Sequence, residues 1–310
     1  MNGISVIIPT TGRLAELKEC LTALAEQSSR PLIQEIIVIE DHCEDGFLQK
    51  AKDTFLPLSL PLKFLSNDGR GAASARNLGA SVATGEILGF LDDDSAPAKD
   101  WVCTIVDSLE SSNAAAITGR ILPKDTSNMF SSGRQLRYEI RQDEAIRKRQ
   151  PVQFFLCGNS AVWKRDFFSA GGFTPCFLMM EGREFVLKLF KNERHCFYVN
   201  ELVVKHNHFK GVRALIREGV RSGLFRLHLE HHHPNNKQRW KLGSQLYSFY
   251  RIFIHGRQQQ VHFRAILAAC VMEALHTAAY VCLKILSALR KKPTTPCANL
   301  GTANRNSFTN

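Results

Sequence analysis

Five apolar residues, Ile87 to Leu91, run straight into three consecutive carboxylates, Asp92-Asp93-Asp94. The apolar run, opened by Gly85, reads as a short buried strand. Three acids have no place at its end inside a core, because an ionised carboxylate without a partner is expensive to bury. At the C-terminal edge of a strand in an open α/β sheet, the same acids would line the crevice where ligands bind. Oxygen ligands at alternate positions suit Mg²⁺ or Mn²⁺ carrying a diphosphate.

The flanking sequence supplies the rest of such a sheet. Ser5 to Ile8, Glu35 to Ile39 and Leu62 to Leu65 read as strands. Leu14 to Glu26, Ala72 to Ala83 and Trp101 to Leu109 have helical spacing between and after them. This alternation predicts an α/β fold with a mostly parallel sheet flanked by helices. Further on, Ala114 to Ile121 and Cys196 to Val204 read as strands, Phe185 to Phe190 as a helix, and Tyr138 to Gln150 as a charged, exposed segment. Gly158 and Asn159 suit an unusual backbone conformation.

The last third differs in character. Between Lys205 and Arg264 twelve Lys or Arg face only Glu218 and Glu230, so this block holds nearly all of the net charge of +11. Such a block favours a polyanion: nucleic acid, an anionic membrane surface or a phosphorylated substrate. Arg213, Arg217 and Arg221 recur at helical spacing among apolar residues, describing an amphipathic helix with a cationic face. His231-His232-His233, followed by Pro234, reads as a solvated helix end. Ala265 to Leu286 is long enough to span a bilayer but carries Glu273, His276 and Lys284, each costly at mid-membrane. A helix packed on the preceding domain, lying in the membrane interface or forming a dimer contact is expected instead. Lys291 to Asn310 has the composition of a disordered tail. Nine cysteines without a Cys-x-x-Cys pair read as reduced thiols, mostly small core residues, and the opening residues lack a signal-peptide pattern.

Seven motifs in order resemble the family 2 glycosyltransferases: Val6-Ile7-Ile8-Pro9-Thr10-Thr11-Gly12-Arg13; Ile39-Glu40-Asp41-His42; Gly71 with Ala75-Arg76-Asn77-Leu78-Gly79 and Ala83-Thr84-Gly85-Glu86; Leu91-Asp92-Asp93-Asp94 with Trp101; Gly158-Asn159-Ser160-Ala161; Gly171-Gly172-Phe173; and His206-Asn207-His208. The resemblance covers the first 210 residues and implies a GT-A (Rossmann-like) domain over 1–210. A basic helical extension over 211–290, membrane-associating or dimerising, and the tail over 291–310 would follow. It implies a nucleotide-sugar donor, UDP-linked by preference, held by Pro9, Thr10, Thr11, Arg13, Glu40, Asp41, Arg76, Asp92 and Asp93. Mn²⁺ or Mg²⁺ would sit on Asp94, Asp92 and His206.

The implied reaction is inverting transfer to a hydroxyl of a glycan or lipid-linked acceptor. Its setting would be cell-surface polysaccharide, lipopolysaccharide or glycolipid synthesis, with the chain peripheral on the cytoplasmic face of the inner membrane and no nucleic acid bound. One departure stands out. Where the family carries an aspartate as general base, Met180-Glu181-Gly182-Arg183-Glu184-Phe185 has Gly182. Glu181 and Glu184 are the nearby carboxylates that could take the proton. The alternative is a donor-binding but inactive partner of another transferase.

Overall fold

Strands Ile4–Thr10 (β1), Ile33–Asp41 (β2), Leu62–Asn67 (β3) and Ile87–Leu91 (β4) pair in parallel in the order β3-β2-β1-β4. The computed structural model describes residues 3–289 except 69–70, 126, 178–179, 209–210 and 234–241, so the expected tail lies outside the described residues. Helices Leu14–Ala25 (α1), Phe47–Phe55 (α2) and Ala72–Val82 (α3) connect these strands. A short strand Ser95–Pro97 (β5) and helix Trp101–Glu110 (α4) follow, then strand Ala116–Pro123 (β6) and the long helix Met129–Lys148 (α5). Next come strand Asn159–Trp163 (β7), helices Lys164–Ser169 (α6) and Glu181–Lys191 (α7), and strand Cys196–His206 (β8). The chain closes with helices Val212–His232 (α8), Leu242–Gln258 (α9) and Phe263–Leu289 (α10).

The full sheet runs β3-β2-β1-β4-β7-β6-β8-β5. It is parallel as expected up to β4 and becomes mixed beyond, because β7 pairs antiparallel with both β4 and β6. Both faces are covered. Alternation along β2 sends Ile36 and Val38 into one apolar layer and Ile37 and Ile39 into the other. Strands buried on both sides are continuous apolar runs for this reason. The second layer contains an aromatic cluster in which Phe173 and Phe185 lie 5.2 Å apart and Phe155 and Phe185 lie 5.3 Å apart. It anchors the first turns of α7. Gly171 and Gly172, with φ of 78° and 61°, make the left-handed turn that delivers Phe173 to the cluster.

At the opposite edge of the sheet, Glu35 ties three strands together. Its carboxylate accepts hydrogen bonds from Ser5 (2.7 Å) and from the Thr84 backbone and hydroxyl, and pairs with Lys63 at 2.5 Å. The Thr84-Gly85 motif is therefore structural here. A Cβ on Gly85 would stand 2.7 Å from the Gly3 carbonyl. Burial disfavours the Glu35 charge, but Lys63 and the Thr84 and Ser5 donors outweigh it and bring its pKa from 4.5 to about 2. A depressed carboxylate stabilises the fold above its unfolded pKa and loses that contribution as pH falls through the folded one. Glu35→Gln should therefore cost about 2 kcal/mol near neutrality, allowing for screening at the exposed Lys63. The gap should close between pH 4.5 and about 2. Denaturant unfolding of both proteins across that range checks it; a gap independent of pH would refute the assignment.

The C-terminal helices pack back on the domain through α5. Gly133 on α5 lies against the Ala265 carbonyl of α10, and Gly219 and Gly223 on α8 let it approach Leu275 and Ala279 of α10 closely. The three residues of α10 that count against a membrane span have protein neighbours. Glu273 pairs with Arg137 at 2.8 Å, Lys284 with Glu230 at 3.0 Å, and His276 lines a cavity described below. These contacts fit the expected helix packed on the preceding domain. By length and composition Phe263–Leu286 could still cross a membrane, with 28% of it buried in the fold. Of the run expected at a solvated helix end, His232 is exposed, whereas His233 is buried 3.3 Å from Glu184.

Candidate active site

The C-terminal ends of β1, β2 and β4 lie side by side, with Thr10 opposite Glu40 and Asp41 opposite Asn67. This is the ligand-facing edge of a parallel sheet. Asp41 is buried and accepts hydrogen bonds from Asn67 (2.6 Å) and the Gly71 backbone (3.3 Å), while Glu40 is half-buried. After β1 the chain turns at Gly12, whose φ of 95° suits glycine. The turn swings Arg13 onto the carboxylates after β4, where it pairs with Asp93 and, at 2.8 Å, with Asp94.

Asp93 differs from expectation. It is 2% exposed, and its oxygens are occupied by Arg13 and by the Thr10 hydroxyl at 2.7 Å. Burial raises its pKa despite those partners. Asp93 and the Thr10 side chain are thus a clamp holding the turn, rather than groups open to a donor. Pro9 is buried on β1, and Thr11 is exposed at the turn.

Asp92 and Asp94 meet His206, delivered from the end of β8, and one ligand-type atom from each lies within 4.8 Å of the others. His206 Nε2 is 3.0 Å from Asp94 and 3.7 Å from Asp92. Burial works against an imidazolium, yet the two carboxylates win and lift the His206 pKa to about 10. Both acids are in turn held below the usual carboxylate range, although burial opposes this. The proton on His206 balances the charge a divalent cation would balance. The buried Asp94 Oδ1 faces His206 Nε2 at 3.0 Å, and two carboxylates with an imidazole form a donor set that fits such a cation. A Cβ on Gly158 would meet Asp92 Oδ2 at 2.3 Å, so close approach to this carboxylate is what demands glycine there. Neither Gly158 nor Asn159 has the positive φ expected of an unusual conformation. Asn159 is a pin instead, bonded to the Arg120 and Leu202 carbonyls and accepting from the Trp101 indole.

Beside this triad opens a cavity of 850 Å³ reached by Asp92, His206, Arg76 and Glu181. Arg76 is 4% exposed and spends its fork on two carboxylates, Asp92 at 2.7 Å and Glu181 at 2.8 Å. Arg76, expected to bind nucleotide, here bridges the metal-type site and the carboxylate across the cavity. Of the two candidate bases, Glu181 lines the cavity and Glu184 does not. Glu184 is buried against Lys188 (3.1 Å) and His233 (3.3 Å), which excludes it from the role. Position 182 has no room for the family's aspartate, because a Cβ there would stand 2.0 Å from the Phe155 carbonyl.

Sequence reasoning missed the far wall of the cavity. Arg134, Arg137 and Arg141 reach it from one face of α5, Arg183 from the first turn of α7, and Glu218 and His276 from α8 and α10. The charged stretch taken as an exposed segment is thus the end of α5, and one side of it faces the cavity. The spacing of 134, 137 and 141 was the available signal, since residues three and four apart share a helix face.

Residues 5–172 match the family model "Glycosyl transferase family 2". The chain is 28% identical over 123 residues to the glucosyl-dolichyl phosphate glucuronosyltransferase of Haloferax volcanii, covering 39% of this chain and 38% of that one. It is 26% identical over 192 residues to glycosyltransferase GlyG of Streptococcus pneumoniae, covering 62% of this chain and 60% of that one. These matches span less than two thirds of the relatives' own length. Among solved structures, the mannosyltransferase PcManGT of Pyrobaculum calidifontis in complex with GDP-Man and Mn²⁺ superposes with a TM-score of 0.61 at 19% identity. That superposition covers 96% of this chain and 83% of that one. At that identity the likeness is one of fold, and it extends through the C-terminal helices.

Proposed function

The chain belongs to glycosyl transferase family 2, and from that membership we propose that it moves a sugar from a nucleoside-diphosphate sugar to an acceptor hydroxyl with inversion. UDP is the first donor to test. The observation that carries the reading is the convergence of Asp92, Asp94 and His206 beside a cavity that also receives Glu181. A divalent cation, Mn²⁺ or Mg²⁺, would be held by those three and would supply Lewis-acid stabilisation of the departing diphosphate. PcManGT and GalNAc-T7, similar in fold, were solved with a nucleotide or nucleotide sugar and Mn²⁺.

The chain's own residues divide the remaining work. Asp41, Glu40 and Thr11 face the base and ribose along the sheet edge. Arg13 and Asp93 hold the turn, and Glu181 accepts the proton of the attacking hydroxyl, oriented by Arg76. The family aspartate is absent, but a carboxylate one residue earlier stands in the cavity, which favours an active enzyme over an inactive partner.

The acceptor reading is lipid-linked, at an anionic membrane surface. Among the described residues, twelve of the seventeen exposed large apolar side chains belong to α8, α9 and α10. On α8, Val212, Ile216, Val220 and Leu224 form one exposed stripe beside Arg213 and Arg217, the pattern of a helix lying in an anionic interface. The Haloferax relative's name places a dolichyl phosphate in its own substrate.

Calorimetric titration with UDP, GDP and dTDP, with and without Mn²⁺ or Mg²⁺, tests the donor side. Metal-dependent binding of one nucleotide, followed by hydrolysis of its sugar conjugate, is expected. Metal-independent binding, or none, would sink the reading.

A further inference from the structure

Among the Lys and Arg side chains that line the cavity, four are matched by carboxylates. Arg76 pairs with Asp92 and Glu181, Arg134 with Glu218 (3.1 Å), Arg137 with Glu273 (2.8 Å) and Lys148 with Glu144 (2.6 Å). Arg141 and Arg183 make no ion pair among the described residues. They come from different elements, the cavity face of α5 and the first turn of α7.

We propose that Arg141 and Arg183 form an anion subsite on the acceptor side of the cavity, shaped for a phosphate ester carried by the acceptor. The assignment of that side rests on the transferase reading above; the anion subsite itself does not.

Three features support it. Two cations that face one cavity without an ion pair of their own repel each other and attract an anion, although Arg141 is also open to solvent and Glu218, Glu273 and Glu230 act on the pair from a distance. Consistently, burial lowers the Arg183 pKa to about 10, and the like charges of Arg141 and Arg226 add to the effect. Glu230, the acid nearest in influence to Arg183, is already engaged by Tyr280 (2.7 Å) and Lys284 (3.0 Å). The triad end of the cavity is different, because Asp92 and Glu181 share Arg76 there. An anion is therefore drawn to the far wall. A phosphate ester, with several oxygens and one or two charges, can satisfy two guanidinium forks at once. The first turn of an 11-residue helix adds its positive end to the same side. A phosphate held there leaves Glu181, in the same helical turn, for the acceptor hydroxyl.

The test is binding to the full chain of phenyl phosphate and of phosphatidylcholine vesicles with or without polyprenyl phosphate, beside UDP with Mn²⁺ as a separate arm. Phenyl phosphate should bind the wild type and bind on the order of tenfold more weakly to Arg141→Gln and to Arg183→Gln. Arg147→Gln, on the same helix and exposed like Arg141 but outside the cavity, should bind within about twofold of wild type. A gain with polyprenyl phosphate vesicles over plain ones, lost in the two variants, identifies a lipid-linked phosphate. Phenyl phosphate binding without that gain identifies a soluble phosphorylated acceptor. Equal binding by wild type and both variants, or no phosphate binding at all, overturns the subsite. Loss of the UDP arm alone would count against the transferase reading and leave the subsite standing.

Discussion

Asp94→Asn should abolish metal-dependent binding of a nucleoside diphosphate and reduce sugar transfer on the order of a thousandfold. Asp94 is buried, with Oδ2 on Arg13 and Oδ1 3.0 Å from His206 Nε2, where a cation would compete with the imidazolium. Asparagine has nearly the same shape but no charge, so it removes attraction for a divalent cation without opening a cavity. Arg13 keeps Asp93 as a partner in the variant, and the turn after β1 should survive. Circular dichroism and thermal melting without metal should therefore resemble wild type, while calorimetry with UDP and Mn²⁺ should lose its signal. Retained metal-dependent binding in Asp94→Asn would mean that the cation sits elsewhere. Asp93→Asn is the contrasting change: it should weaken the fold rather than the metal, because Asp93 is enclosed by Thr10 and Arg13.

The second large effect concerns Glu181. Glu181→Gln should lower turnover on the order of 10²- to 10⁴-fold, the range for loss of a positioned general base. Nucleotide binding should stay within about twofold, since the metal-type triad is untouched. The amide oxygen can still accept from Arg76, so the bridge to Asp92 is weakened rather than broken. Stability should fall by about 1–2 kcal/mol as an ion pair becomes a neutral contact. Undiminished transfer by Glu181→Gln would remove it as the base. A wild type that binds nucleotide and metal yet transfers to no acceptor would revive the inactive-partner reading. Installing aspartate at 182 is no substitute for this experiment, because its Cβ would collide with the Phe155 carbonyl.

Much of the donor side was legible along the chain. The strand-and-carboxylate signal at Ile87–Asp94 depends on local chemistry: apolar residues need burial, and acids after them need solvent or a cation. His206 was readable as the residue following a strand, and the structure brings it to Asp92 and Asp94. Asp93 and Arg76 were read as ligand-facing and prove to be occupied. Their partners, Arg13 at eighty residues' distance and Glu181 at over a hundred, are contacts that no local pattern announces. Glu181 was the first candidate for the base on sequence, with Glu184 beside it. Three positions apart they lie on roughly the same side of the helix, and only the packing of α7 on its aromatic cluster decides which one enters the cavity.

The sequence by itself determined the parallel half of the sheet, its ligand-bearing edge and the membership of the family, because these follow from the periodicity of burial and from short motifs. The tertiary structure alone decided which charges are spent on one another and which are left over. Arg134, Arg137 and Arg141 share a helix face, yet two are neutralised by carboxylates from α8 and α10 and the third is not. Electrostatic energy depends on separation in space, and separations across a cavity are set by how helices far apart in sequence come to pack.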